Sequence, residues 1–241
     1  MIEIKNLSFK YKTNLALKDI NLEIREGEAV ALIGPNGSGK STFLKLINGI
    51  VFGDSGSYVF YGQEITEKKL QDNKFSKLFH KSIGFVFQNS DAQLFCPSVY
   101  EEVAFGPRQM GMDDKEVDKR VRDCLKLLDI EKLKDREPYN LSGGEKRKVA
   151  IASVLSLNPE VLVLDEPMNG IDPKGKRFLR DLIIKLNKSG KTIICSTHDF
   201  EYVKGVFQRA VVFSEEHTIL RDDAYDKVIE DEEFLIQNNI K

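Results

Sequence analysis

Gly34-Pro35-Asn36-Gly37-Ser38-Gly39-Lys40-Ser41-Thr42 sets glycines, a lysine and hydroxyls at the spacing that wraps a chain of phosphates. Glycine lets backbone N–H groups close around the anion, and a helix starting at the end of the run adds its positive end. Lys40 is placed to bridge the β- and γ-phosphates of a nucleoside triphosphate, and Ser41 to hold Mg²⁺. The pattern carries weight only between a strand and a helix. Here the continuous apolar run Ala29–Ile33 precedes it, and Phe43, Leu44 and Ile47 follow on one helical face.

A second set of residues has complementary chemistry. The apolar run Val161-Leu162-Val163-Leu164 ends in Asp165-Glu166-Pro167. Asp165 is suited to hold Mg²⁺, directly or through water. Glu166 is suited to accept a hydrogen bond from an attacking water and act as general base. Gln88 follows the apolar run Ile83–Phe87, and His198 follows Thr192–Ser196 with one threonine between. Ligands bind at the carboxyl ends of parallel strands, so both side chains are expected at the same edge. Gln88 would sense Mg²⁺ or the water there, and His198 would hydrogen-bond the γ-phosphate. A third set, Leu141-Ser142-Gly143-Gly144-Glu145, has the Ser-x-x-Glu spacing of a capping box. It heads a helix running through Val149, Ala150, Ala152, Ser153 and Leu157. Gly143 and Gly144 leave that helix tip bare, and a bare N-terminus attracts phosphate.

These residues need a scaffold. The chain has 241 residues, 41% apolar and 31% charged, enough for a globular core. Its net charge of −2 gives no electrostatic case for nucleic acid as a partner. No apolar run approaches the ~18 residues that cross a bilayer, and Met1–Lys5 lacks the regions of a signal peptide. Any link to a membrane is therefore expected to run through another protein. Cys96, Cys124 and Cys195 have neither zinc-ligand nor redox spacing. They read as small apolar residues in a reducing cytoplasm. The three histidines are far apart, which argues against a histidine-built metal cluster.

Ile2, Ile4, Leu7, Phe9 and Tyr11, and then Ile20, Leu22 and Ile24, separate polar neighbours and predict half-buried antiparallel strands. The continuous runs at 29–33, 161–164 and 192–195 predict strands buried on both faces, and helical patterns between them predict a parallel sheet. The middle of the chain differs. Ser98-Val99-Tyr100-Glu101 predicts a capped helix that Gly106-Pro107 stops. Val117, Val121, Leu125 and Leu128 share one face of a second, charged helix. The tail from Asp222 to Lys241 is charged and predicted helical.

Residues 141–145 resemble the signature of the ATP-binding-cassette family, usually Leu-Ser-Gly-Gly-Gln. With the Walker A run at 34–42, Gln88, the Walker B run at 161–166 and His198 in the family's order, the resemblance covers nearly the whole chain. It implies an α/β fold of the RecA-like P-loop NTPase type, with a mostly parallel sheet, an antiparallel β subdomain and an inserted α-helical subdomain. A single domain would span 2–241, with the core at 1–90 and 158–241 and the helical insert at 91–157. The resemblance also implies ATP and Mg²⁺ as cofactors, ATP hydrolysis, and a head-to-tail dimer with an identical or related ATPase subunit. In that dimer Ser142, Gly143, Gly144 and Glu145 of one subunit close over the γ-phosphate held by the other. Tyr11 matches the aromatic that stacks on adenine in the family, and Asp172 its interface aspartate, with Pro173 opening the next helix. Glu145 departs from the usual glutamine. Met168-Asn169-Gly170-Ile171-Asp172 departs from the usual Ser/Ala-rich form.

Asn89–Phe95 and Glu101–Pro107 are similar to the ATPases of energy-coupling-factor importers, including those for cobalt and nickel. There the segment after the glutamine contacts a transmembrane coupling subunit, which would put Gln93 and Phe95 on a docking surface and the chain at the cytoplasmic face of the membrane. Leu94 and Phe95 read equally well as core of the helical insert. The rival is a soluble cassette ATPase of translation or DNA repair. Translation types usually carry two cassettes and repair types long coiled-coil inserts; this sequence has one cassette and no such insert.

Overall fold

The structure is a computed structural model and describes residues 1–200 and 202–241. Strands β1 (Ile2–Tyr11) and β2 (Asn14–Ile24) form a hairpin, and β3 (Ala29–Ile33) runs through the Walker A loop into α1 (Lys40–Ile47). Next come β4 (Ser55–Phe60), β5 (Gln63–Glu64), α2 (Glu67–Leu70), α3 (Asn73–Ser82) and β6 (Ile83–Val86). Helices α4 (Val99–Gln109), α5 (Asp114–Leu127) and α6 (Gly143–Leu155) follow without a strand between them. The chain then passes through β7 (Val161–Asp165), α7 (Pro173–Lys188), β8 (Thr192–Ser196), β9 (Arg209–Phe213) and β10 (Ile219–Ala224). It ends in α8 (Tyr225–Ile229) and α9 (Glu232–Gln237).

The fold is mixed α/β, with an antiparallel sheet ordered β2-β1-β4-β5 and a second sheet ordered β10-β9-β3-β8-β7-β6. In the second sheet only β10 is antiparallel. Both faces of this sheet are covered, which is why its strands read as unbroken apolar runs. Along β3, Ala29, Ala31 and Ile33 enter the core shared with α5, α6 and α7. Val30 and Leu32 enter the core shared with the antiparallel sheet and α1. Strands β7, β8 and β9 divide their residues in the same way. Each large apolar side chain so buried contributes about 1.5–3 kcal/mol. The strand ends are thereby held rigid, and those ends carry the polar residues.

Four local expectations need correction. Strand β2 begins at Asn14, not near Ile20. Ala16 and Leu17 are both buried although adjacent, because a register irregularity and the left-handed Asp19 (φ 50°) break the two-residue period. Gly106-Pro107 does not stop α4, which continues to Gln109. The proline removes one backbone donor near the helix end, where Met110 N–H still reaches the Gly106 carbonyl (3.1 Å). Gly106 answers a packing need, since a Cβ there would lie 3.2 Å from Leu157 Cγ. Only half of the capping box at 98–101 forms: Ser98 accepts the Glu101 N–H (3.2 Å), while the Glu101 carboxylate turns to Arg108. Finally, Asp222–Ala224 belong to β10. This strand lies at the sheet edge, and its charges pair across the surface, Asp222 with Arg209 and Arg221 with Asp231.

Candidate nucleotide site

The Walker A loop leaves β3 and enters α1 through Gly39, whose φ of 103° only glycine adopts readily. Lys40 is 5% exposed, and its ammonium donates to the carbonyls of Gly34 (2.7 Å) and Pro35 (2.8 Å). Burial pushes its pKa down, and the charges of Glu166 and Asp165 oppose that shift. Ser41 Oγ donates to Asp165 Oδ1 (3.1 Å), and Ser196 Oγ, from the end of β8, donates to the same oxygen (2.6 Å). A hydroxyl and a carboxylate in contact form the hard-oxygen donor pair that suits Mg²⁺.

Glu166 follows β7 in the left-handed region (φ 44°), a strained state for a non-glycine residue. Its N–H is held by Ser196, through the carbonyl (3.2 Å) and Oγ (2.9 Å). Three side chains converge on its carboxylate: His198 Nε2 (3.1 Å), Gln88 Nε2 (3.2 Å) and Asn169 Nδ2 (3.3 Å). The hydrogen bond from His198 lowers the Glu166 pKa, burial opposes this, and the charges of His198 and Lys40 reinforce it. The expectations for 166, 88 and 198 thus meet at one carboxylate.

Two cavities flank this cluster. One, of about 390 Å³, is lined by Tyr11, Leu15, Ala16, residues 36–42, Gln88, Glu166 and His217. The other, of about 380 Å³, includes Asn36, Gln88, Glu166, Asn169 and His198. Tyr11 is 44% exposed, with its ring packed edge-on against Phe9. Gly34 and Pro35 do not line the cavities; they lie behind the loop as acceptors for Lys40.

The model of the family described as "ABC transporter" matches residues 17–169. The chain belongs to that family. An ABC transporter ATP-binding protein of Clostridium acetobutylicum is 70% identical over 240 residues, covering 100% of both chains. The nickel import ATP-binding protein LarO of Lactiplantibacillus plantarum is 47% identical over 222 residues, covering 92% of each. Among solved structures, cbiO1 of Clostridium perfringens, part of the ABC transporter complex cbiONQ, superposes with TM-score 0.84. It is 37% identical, with 100% of this chain and 94% of that one covered. The cassette MJ0796, solved as a dimer in a post-hydrolysis state with ADP and Pi, also gives 0.84. It is 31% identical, with 93% and 99% covered. The chain is an ATP-binding subunit of the ABC type, from a family of ATP-hydrolysing transporter subunits.

The signature of this cassette lies elsewhere. Ser142, Gly144 and Glu145 line a third cavity, of about 690 Å³, with Lys148, Asp172 and Lys174, and share none with the Walker A loop. Ser142 Oγ accepts the Glu145 N–H (3.4 Å), while the Glu145 carboxylate accepts from Ser142 N–H (2.9 Å) and Oγ–H (2.7 Å). These bonds lower the Glu145 pKa. The Ser142 hydroxyl proton is therefore engaged by its own helix, a consequence of the departure from glutamine. A Cβ on Gly143 or Gly144 would meet nothing within 4 Å.

Sequence reasoning missed four residues at or beside the site. Asn169 and Ser196 fix the carboxylates, and Arg147 of α6 donates to the carbonyls of Phe87 and Gln88. His217 lines the cavity beside Tyr11. Only Asn169 carried a signal, as part of the unusual stretch after the Walker B run. Gln93, expected on a docking surface, is half-buried and spans two elements: it accepts the Phe87 N–H (3.1 Å) and donates to the Ala150 carbonyl (3.1 Å). Leu94 packs on the core, whereas Phe95 is 68% exposed and meets Phe105 edge-on.

Proposed function

We propose that this cassette is the motor of an energy-coupling-factor type importer for a transition-metal ion such as nickel or cobalt, working at the cytoplasmic face of the membrane with a transmembrane coupling subunit. The observation that carries the ATPase reading is the convergence of Gln88, Asn169 and His198 on the Glu166 carboxylate, beside the Ser41–Asp165 pair. Lys40 and the loop amides bind the phosphates. Ser41 and Asp165 would hold Mg²⁺, with Gln88 as a further polar group for it or the water, and the ion would supply charge neutralisation at the phosphates. Glu166, kept ionised by its neighbours, takes a proton from the attacking water. His198 exchanges its bond to Glu166 for one to the terminal phosphate. Tyr11 stacks on the base.

The bare tip at Gly143 and Gly144 supports a head-to-tail dimer. Each copy holds one half of a site, and the partner's helix N-terminus supplies the missing donors. The importer class rests on the likeness to LarO and cbiO1 and on the exposed Phe95–Phe105 pair. Among the described residues no helix is long and apolar enough to cross a membrane, so transport needs membrane partners.

Purification of the tagged chain from native membranes tests the reading. It is expected to bring down integral membrane proteins and to release phosphate from ATP, with phosphate release stimulated in vesicles supplied with nickel or cobalt. A chain recovered alone, with turnover indifferent to membranes, would refute the importer assignment.

A further inference from the structure

The turn between β9 and β10 places His217 in the left-handed region, with φ of 65°. Tight hairpin turns give that position to glycine or asparagine, because a larger side chain strains the backbone there. The turn is well made around it: Ser214 N–H donates to the Thr218 carbonyl (2.9 Å), and His217 N–H to the Ser214 carbonyl (3.1 Å). Its strained residue is therefore held by the fold, the condition under which strain persists at functional positions.

The turn is also tied to the nucleotide edge from two sides. The His217 carbonyl accepts the Lys18 N–H of β2 (2.8 Å). At the foot of the turn, the Phe213 carbonyl lies 2.5 Å from the point a Cβ on Gly34 would occupy. The imidazole lines the cavity it shares with Tyr11, Leu15 and Ala16, and it is absent from the cavity holding His198 and Asn169. Gln88 and Glu166 border both cavities, so what sets the His217 cavity apart is Tyr11, Leu15, Ala16 and the phosphate loop. Its Nδ1 is buried without a hydrogen-bond partner among the described residues. Turning the ring over to present either edge to a ligand breaks no bond at that nitrogen.

We propose that His217 is a nucleoside-contacting residue: with Tyr11 it forms the walls of the subsite for the base and ribose, and it makes the site prefer a nucleotide over a bare polyphosphate. This rests on the ATP-site reading above and adds a residue to it. An imidazole edge offers a hydrogen bond to ribose or base, and its face offers packing area.

The test uses the full chain and two ligands, ATP and inorganic tripolyphosphate, titrated by calorimetry. His217→Gly is expected to weaken ATP about tenfold, the scale of one lost hydrogen bond. It should leave tripolyphosphate affinity unchanged and the ligand-free melting temperature equal or higher, because glycine relieves the backbone strain. His217→Asn, which tolerates the left-handed region and keeps a polar group, is expected to fall between wild type and glycine. Unchanged ATP affinity in His217→Gly overturns the proposal. So does an equal loss for both ligands, which would make His217 a support of the phosphate loop. Failure of the underlying reading looks different: the unmodified chain would not bind ATP, or Lys40→Ala would bind it as well as wild type.

Discussion

Two pairs of glycines in this cassette have opposite reasons for being glycine. Gly34 (φ 148°) and Gly39 (φ 103°) are required by the chain itself: a Cβ would sit 2.5 Å from the Phe213 carbonyl in the first and 2.3 Å from the Ala16 carbonyl in the second. Gly143 and Gly144 open α6 with free space around them. Glycine in a helix costs up to about 1 kcal/mol relative to alanine, so this chain alone would be more stable without them. The same contrast holds for the polar groups. Around Glu166, the segments after three strands, β6, β7 and β8, have already brought their side chains together, whereas the tip of α6 is capped by its own Ser142 and Glu145. One cluster is organised by the fold, and the other is a helix tip with open space around it, the half that the proposed dimer would cover.

The most severe way to probe the organised half is Glu166→Gln. Turnover is expected to fall about 10²–10⁴-fold, the loss typical of a general base, while ATP binding persists and a dimer is trapped. Phosphate release and light scattering with ATP measure both effects. Unchanged turnover would remove Glu166 from that role. Lys40→Ala strikes binding instead, with ATP affinity expected to drop about 10- to 100-fold for the loss of a charged hydrogen-bonding partner. Calorimetry reads it.

The cleared half is probed by Gly144→Ala. The ligand-free chain should melt at the same or a higher temperature, and turnover should fall about ten- to a hundredfold as the new methyl crowds the amides. Full activity in this variant would erase the contrast between the two glycine pairs. The mildest change is Glu145→Gln, expected to leave turnover within about tenfold, or 1.4 kcal/mol of barrier. A loss beyond about a hundredfold would give Glu145 a catalytic role.

The same variant carries a pH signature. The folded Glu145 pKa lies below its usual value of 4.5, so its stabilising contribution is full above that value. The contribution disappears as pH falls through the folded pKa. The melting-temperature gap between wild type and Glu145→Gln should therefore close on acidification below about 4.5. A gap independent of pH would show that the cap does not depend on charge.

Much of this was readable before any coordinates. The buried strands β3, β7 and β8 announced themselves as apolar runs, and their polar ends named Lys40, Ser41, Asp165, Glu166 and His198. Edge strands were harder. β10 alternates half-buried and exposed residues whose charges pair across the surface, and that pattern reads as a charged helix. Gly106 and Pro107 misled because they lie in the last turn of α4, where the helix still closes through Met110 N–H on the Gly106 carbonyl, and the glycine leaves room for Leu157.

Period and motif spacing pointed to an α/β phosphate-binding core, and the resemblance of residues 141–145 to a family signature pointed to the cassette, because each motif depends on residues close in sequence. Which side chain meets which was decided by tertiary structure. Asn169, Arg147, Ser196 and His217 reach the site through strand order and turn geometry, and Gln93 becomes a brace because Phe87 and Ala150 happen to flank it. Contacts between residues far apart in the chain exist only once the sheet has ordered its strands, and no local pattern encodes that order.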